Sequence, residues 1–354
     1  MERRRTTLVI LFGGQSAEHE VSCVSATHVI RAIDPEKFDV VAIGIDRNGS
    51  WHRSPDLTFR GDAKRTVPDG LSVSGPGIDP TTVLGDEDGG IVVIPLLHGP
   101  LGEDGTMQGF LELMNVPYVG SGVLASAIAM DKGIAKQIFR LADIPQARHQ
   151  VLHVDECTDA AIAGAFAELG GDVFVKPANM GSSVGVSHAV TIDEANAAVI
   201  LAGRYDNWIV IEETVHGREI EVSVLGNRSP RASLPGEITP AKDFYDYADK
   251  YVNNAATLTI PASLSPAQTD EVRALAVRAY TALRCEGMAR VDFFLEENGR
   301  GFLCNEINTI PGFTPISMYP KMWEASGLSY SDLITELVTL AIERHSAYKR
   351  NTAH

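Results

Sequence analysis

Two stretches of this 354-residue chain hold residue types that could handle phosphate and a divalent cation. The first is VKPANMGSSVGVS, residues 175–187. It has the glycine and serine content of a phosphate-holding loop, but not the G-x-x-x-x-G-K-[ST] order of a Walker loop. Its lysine, Lys176, precedes the glycines and ends an apolar run. If Lys176 closes a strand and Pro177 breaks it, Gly181-Ser182-Ser183-Val184-Gly185 can form a loop of exposed N–H groups that wraps an anion without a following helix. Lys176 can then reach back over the phosphates as a point charge. A flexible surface turn is the usual fate of such a run. The lysine and the buried strand beside it weigh against that here.

The second stretch is ARVDFFLEENGRGFLCNEINTIPG, residues 289–312. Two strand-like runs flank the turn signal ENGRG. Side chains alternate faces along a strand. Arg290 therefore shares a face with Asp292, and Glu306 with Asn308. An odd number of loop residues puts all four on one face. A three-residue loop at Asn298–Arg300 sets Asp292 opposite Glu306 and Arg290 opposite Asn308. Directly opposed carboxylates repel, unless a cation lies between them. Oxygen ligands without His or Cys point to Mg²⁺ or Mn²⁺, and magnesium held by few protein ligands usually also binds substrate phosphates. The alternative is a solvated hairpin face on which Arg290 neutralises one acid. The hairpin alone does not choose between them; the Gly-rich loop tips the balance towards metal.

These residues need elements to carry them. TTLVILFGG, FDVVAIGID and GGIVVIPLLHG read as buried parallel strands, the first and last running into glycine turns. SAEHEVSCVSATHVIRAI reads as a helix with Ser16 as N-cap, and MQGFLELMN as another. Strand and helix alternating over residues 1–120 predict an open, Rossmann-like α/β domain. Residues 53–90, polar and rich in Gly, Pro and Asp, read as a surface insertion. GVLASAIAMDKGIAKQIFRLADIP reads as one helical stretch ended by Pro145, and DVFVKP and WIVIEETV as short strands around the glycine loop. From residue 216 onward come strands such as REIEVSVLG, a polar and aromatic segment, the helix PAQTDEVRALAVRAYTALRC, the hairpin, and a C-terminal helix from Ser329.

The composition, 44% hydrophobic and 21% charged, is that of a soluble globular protein. A net charge of −16 repels polyanions and argues against nucleic acid or an anionic membrane as the main partner. The four cysteines form no C-x-x-C pair and read as thiols in a reducing compartment. The apolar run Leu8–Phe12 is too short for a signal peptide, and no stretch reaches membrane-spanning length. A cytoplasmic protein is expected.

VKPANMGSSVGVS, FYDYADKY, ARVDFFL and NEINTIPGFT stand in the order seen in ATP-grasp enzymes. Together with GGQSAEHEVS, LHGPLGEDG and GVLASAIAMDK, they make the chain resemble the D-alanine–D-alanine ligases over almost its whole length. The resemblance implies three domains: a substrate-binding α/β domain at 1–120, then a two-subdomain ATP-grasp fold with a central part at 121–215 and a C-terminal part at 216–354. It implies that Lys132 and Lys176 contact ATP phosphates under a flap that includes Ser183. Glu212, with the Glu213–Val215 backbone, would hold the adenine, and Glu219 the ribose hydroxyls. Asp292, Glu306 and Asn308 would bind two Mg²⁺ ions. Arg290 and the N–H of Gly312 would form the oxyanion site.

For the substrates, Glu18 matches the partner of the first D-alanine's ammonium, and His98 a group that orients that substrate. Ser317 and the Met318 backbone match ligands of the second substrate's carboxylate. Lys250 and Tyr251 would close over the site and exclude water, with Tyr251, Ser182 and Glu18 hydrogen-bonded to one another. The reaction implied is ATP-dependent joining of two D-alanines through an acyl phosphate, in a homodimer. Tyrosine at the end of FYDYADKY favours an amine acceptor over the hydroxyl of D-lactate.

Two rivals remain. Another ATP-grasp carboxylate–amine ligase would share the fold, which does not fix the substrate. A nicotinamide-dependent oxidoreductase is disfavoured: GGQSAE lacks the third glycine of G-x-G-x-x-G, and Asp46 falls too late to hold a ribose.

Overall fold

In the computed structural model the described residues are 5–61, 66–84, 90–239 and 256–347. Three sheets organise the chain. The first has the order β3-β2-β1-β4, from β1 (Thr6–Gly13), β2 (Phe38–Ile45), β3 (Trp51–Phe59) and β4 (Ile91–Pro95). Both β2 and β4 run parallel to β1. β1 is apolar from Leu8 to Phe12, and all five residues are fully buried, as the continuous run requires of a strand covered on both faces.

The predicted insertion at 53–90 is corrected here. Its first part is β3, an antiparallel edge strand on β2. Proline at position 55 masks the strand in the sequence, yet an edge strand tolerates proline. Leu57, Phe59 and Leu71 are buried in the core of this sheet.

The other two sheets are antiparallel. One has the order β5-β8-β6-β7, from β5 (His149–His153), β6 (Val173–Pro177), β7 (Ser187–Ala189) and β8 (Trp208–Glu213). The larger has the order β12-β11-β9-β13-β14, with β10 off the path on β9. Its strands are β9 (Arg218–Leu225), β10 (Arg231–Ala232), β11 (Gly236–Thr239), β12 (Thr257–Thr259), β13 (Met288–Glu296) and β14 (Gly301–Asn308). On β13 the odd-numbered residues Ala289, Val291, Phe293 and Leu295 are buried against the helix Pro266–Ala282. The even-numbered residues face the other way, as period-two alternation demands. The C-terminal helix Tyr330–Ala347 returns to the first sheet, where Leu333, Leu337 and Ala341 join the core of β1 and β4. Among the described residues no helix is long and apolar enough to cross a membrane.

Two helix expectations are also corrected. The helix after β1 spans His19–Ala32 and its N-cap position is Glu18, not Ser16. Ser16 instead turns its hydroxyl to the His98 carbonyl at 2.6 Å. The stretch read as one helix before Pro145 is two, Val123–Met130 and Lys132–Leu141. The break is Asp131: its ψ of 100° leaves the helical region, and its carboxylate caps the second helix by accepting from the Ile134 N–H at 2.9 Å. Lys132 is thereby the first residue of a new helix.

Candidate active site

The hairpin β13–β14 fixes the cleft floor. Asp292 pairs with Glu306 and Arg290 with Asn308, the register expected from the sequence. The route to it differs. Glu296 pairs with Gly301, so the loop holds the four residues 297–300, and a bulge at Asn305 adds the odd residue that a three-residue loop was expected to supply. Without the bulge, Glu306 and Asn308 would turn into the hydrophobic core. β9 adds its own row to this face, with Glu221 beside Asp292 and Glu219 beside Phe294.

Acids outnumber the one arginine on this face, where Asp292, Glu306, Glu219 and Glu221 lie. Arg290 forks onto Asp292, with Nε to Oδ1 at 2.7 Å and Nη2 to Oδ2 at 2.6 Å, and its Nε stands 3.1 Å from Glu221 Oε2. Burial opposes charge on this guanidinium, yet Asp292 and Glu221 outweigh it and push its pKa up. Asn308 Nδ2 donates to Asp292 Oδ2 at 3.3 Å. The alternative reading of a neutralising Arg290 is thus partly realised, but on a largely buried face rather than a solvated one.

Opposite lies the glycine loop. Ser182, Ser183 and Gly185 all have positive φ, at 50°, 58° and 73°. Two consecutive serines in the left-handed region are strained, a condition met at ligand-binding turns. Lys132 bridges loop and floor: its Nζ donates to the Met180 carbonyl at 2.7 Å and stands 3.4 Å from Glu306 Oε2. The flap and the acidic face therefore form one site.

Behind the loop, Glu212 is buried between two ammonium groups. Lys176 reaches Oε2 at 2.5 Å, and Lys136 binds Oε1. Burial alone would raise the Glu212 pKa, but the two lysines overcome it and hold the carboxyl at about 2. Two cations against one anion leave an excess positive charge, which an anionic ligand would balance. Glu213 points elsewhere: Arg148 and Arg300 both hold its carboxylate. Thr214 donates its N–H to the Asp172 carbonyl at 3.0 Å, and Val215 follows in the connection to β9.

The first sheet supplies the third wall. Glu18 is buried and accepts from the Ser182 hydroxyl. A Cβ on Gly181 would lie 3.1 Å from Glu18 Oε2, so this position in the loop is kept small by the carboxylate. His98 donates through Nδ1 to the Ile310 carbonyl at 3.1 Å, which fixes its tautomer, and Nε2 faces Ser25 Oγ at 3.4 Å. Burial lowers the His98 pKa against the pull of Glu18, so the ring is neutral. Ser25 Oγ in turn accepts from the Phe313 N–H at 3.3 Å. Gly312 is therefore bracketed on both sides by groups from the first sheet and helix. A Cβ on Gly312 would lie 2.7 Å from Ser317 Oγ. Ser317 accepts from Thr314 N–H at 2.9 Å and precedes the helix Met318–Ala325, whose N-terminal N–H groups suit an anion.

Most sequence-predicted site residues meet in this cleft. Lys250 and Tyr251 lie outside the described residues. Three residues were missed. Glu221 sits two positions after Glu219, on the same strand face. Lys136 lies one helical turn after Lys132. Glu103, in the motif LHGPLGEDG, is buried and accepts the Gly99 N–H at 2.8 Å. Burial, then the nearby Glu18 charge, pushes its pKa upward. Spacing of two on a strand and four on a helix could have found Glu221 and Lys136; nothing local signals the burial of Glu103.

The family model described as D-ala D-ala ligase N-terminus matches residues 7–121, and that described as D-ala D-ala ligase C-terminus matches residues 138–339. A D-alanine–D-alanine ligase of Bacillus licheniformis is 47% identical over 96% of this chain and 97% of its own length. D-alanine–D-alanine ligase A of Escherichia coli K12 is 45% identical over 98% of each chain. Among solved structures, the D-alanine–D-alanine ligase of Coxiella burnetii superposes with a TM-score of 0.80 at 36% identity, covering 97% of this chain and 96% of its own. A D-Ala:D-Ser ligase of Enterococcus faecalis gives 0.79 at 33% identity, covering 95% and 99%. With an α/β sheet leading into two antiparallel sheets that Lys132 joins at a glycine loop, the chain belongs to the D-alanine–D-alanine ligase family and carries its ATP-grasp fold.

Proposed function

We propose that this enzyme joins two D-alanine molecules at the expense of ATP, giving the D-alanyl-D-alanine dipeptide used in peptidoglycan. The observation that carries the reading is Lys132, one ammonium group tied at once to the flap carbonyl of Met180 and to Glu306 on the acidic floor. A nucleotide phosphate entering there meets lysine, loop N–H groups and carboxylates together.

A carboxylate does not condense with an amine at neutral pH, because it has no leaving group. Transfer of the ATP γ-phosphoryl group to the first D-alanine supplies one. Lys132 and Lys176 gather the phosphate oxygens and hold them in line. Glu18 holds the ammonium of the first D-alanine. The amine of the second attacks the acyl phosphate carbonyl, and phosphate leaves. Arg290 and the Gly312 N–H stabilise the oxyanion, while Ser317 and the Met318 N–H hold the second substrate's carboxylate. Glu219 takes the ribose hydroxyls and Glu212 with residues 213–215 the adenine. Lys250 and Tyr251, outside the described residues, are assigned to the exclusion of water from the acyl phosphate.

The donor set fits a hard divalent cation: Asp292, Glu306 and the Asn308 amide oxygen share one face, without His or Cys. Among the described residues no three His, Cys, Asp or Glu side chains surround one point. An ion held here completes its shell with water and phosphate, as magnesium does. Two Mg²⁺ or Mn²⁺ ions, when bound, would neutralise the phosphate oxygens. The reading carries with it a cytoplasmic homodimer.

The test is phosphate release with ATP, Mg²⁺ and a panel of D- and L-amino acids and D-lactate. Release and dipeptide with D-alanine are expected. Release only with L-amino acids rejects the substrate and leaves the fold intact; a hydroxyl acceptor alone would assign a depsipeptide ligase.

A further inference from the structure

We propose that Lys136 is a positioning residue for nucleotide binding: it keeps Glu212 neutralised, so that Lys176 can leave that carboxylate for a phosphate. The inference rests on the nucleotide site described above.

The two lysines are not equivalent. Lys136 binds Glu212 Oε1 with its side chain 1% exposed, whereas Lys176 holds Oε2 with 11% exposed. Lys136 projects from the helix Lys132–Leu141, one turn deeper than Lys132, and Gln146 Nε2 donates to its backbone carbonyl at 2.9 Å. Among the described residues Glu212 is the carboxylate it pairs with. Lys176 stands on β6, five residues before the glycine loop, at the open side of the same carboxylate. The residues opposite Glu212 on the neighbouring strands, His149 and Phe174, bring no competing anion. Burial lowers the His149 pKa, so that ring is neutral.

The consequence is a competition. Lys176 pairs with Glu212. A Lys176 ammonium that turns to a phosphate weakens its hold on Glu212, and a buried carboxylate stripped of all partners is strongly disfavoured. Lys136 removes the obstacle, because Glu212 stays paired after Lys176 leaves. Without Lys136, Lys176 is the sole partner of Glu212 and is retained by it. The fraction of enzyme able to bind nucleotide falls, and the apparent affinity falls with it.

The experiment is calorimetric titration of full-length enzyme with Mg-ATP, paired with steady-state kinetics and thermal melts, for the wild type, Lys136→Met, Glu212→Gln, and Lys136→Met with Glu212→Gln. Lys136→Met is expected to raise Kd and KM for ATP by about 10- to 100-fold, while KM for D-alanine changes less than about twofold. In Glu212→Gln, Lys176 no longer faces this carboxylate, so adding Lys136→Met is expected to change ATP affinity by less than about threefold from Glu212→Gln alone. A purely structural lysine predicts a lower melting temperature and the same loss of affinity in both backgrounds. The proposal is overturned if Lys136→Met binds ATP as the wild type does, or if Lys136→Met weakens ATP binding as much in the Glu212→Gln background as in the wild type. If Lys136→Met alone does not fold, the double variant is read against Glu212→Gln: affinities within about threefold support the proposal, and a folded double variant that binds about tenfold more weakly overturns it. Failure of the wild type itself to bind Mg-ATP would reject the nucleotide site rather than the role of Lys136.

Discussion

Ser182 and Glu18 stand 164 residues apart in the chain and are joined by a hydrogen bond from the serine hydroxyl to the glutamate carboxylate. One belongs to the phosphate flap and the other to the wall assigned to the first D-alanine. A hydrogen bond to a charged group contributes about 1.5–3 kcal/mol. Ser182→Ala is therefore expected to lower kcat/KM for D-alanine by about 10- to 100-fold, with a melting temperature close to that of the wild type. Steady-state kinetics in D-alanine check it; an unchanged kcat/KM would separate the flap from substrate binding.

Gly312 is held to its size by Ser317, since a Cβ there would lie 2.7 Å from Ser317 Oγ. Gly312→Ala should push Ser317 away from Thr314 and displace the N–H assigned to the oxyanion. Losing one such donor costs about 3 kcal/mol of transition-state stabilisation. Dipeptide formation should fall by about a hundredfold, with KM for ATP little changed. Rapid-quench measurement of dipeptide against ADP formation tests whether the loss follows phosphoryl transfer.

Arg290 and Glu306 face the same cleft but should respond differently to mutation. Arg290→Ala leaves Asp292 and Glu221 without their shared cation, and breaking such a buried pair costs about 3–5 kcal/mol. Its melting temperature should drop along with its activity. The Glu306 side chain is 26% exposed and stands 3.4 Å from Lys132. Glu306→Gln should melt cooperatively near the wild-type temperature and yet be almost inactive at any Mg²⁺ concentration. Persistent activity in Glu306→Gln would remove Glu306 from the ligand set.

Glu212 gives the acid limb of stability its shape. Its pKa falls from an ordinary 4.5 to about 2 in the folded chain. A depressed folded-state pKa contributes stability that is fully present above 4.5 and is lost as pH falls through that window towards 2. The shift corresponds to about 3 kcal/mol. The double variant Lys136→Met with Glu212→Gln should lose less stability than the wild type between pH 4.5 and 2. Denaturant titrations at several pH values measure the slope, and equal slopes would remove Glu212 as the source.

Much of the site was legible in local pattern. Period two put Asp292 and Glu306 on one face, and the order of Lys176, proline and glycines marked the loop in which Ser182, Ser183 and Gly185 take positive φ. The register was reached by the wrong local device, because the bulge at Asn305 leaves no mark in the sequence and its side-chain parity equals that of a three-residue loop. β3 was hidden because its proline and polar residues suit an edge strand as well as a loop. The break at Asp131 was hidden because helix-favouring residues lie on both sides of Asp131–Gly133, and a helix interior can tolerate such a weak step. It takes an aspartate cap to show that Lys132 starts a helix rather than continuing one.

Residue order by itself determined the strands that carry the candidate site residues, the alternation of side chains along them and the chemical types available for phosphate and metal, since these depend on neighbours within a few positions. Only the tertiary structure decided which of them meet. Lys136 and Lys176 close on one carboxylate, Ser25 and His98 bracket Gly312, and Ser182 reaches Glu18 because three separate sheets converge. Burial and charge pairing are set by that convergence, and no short stretch of sequence carries them.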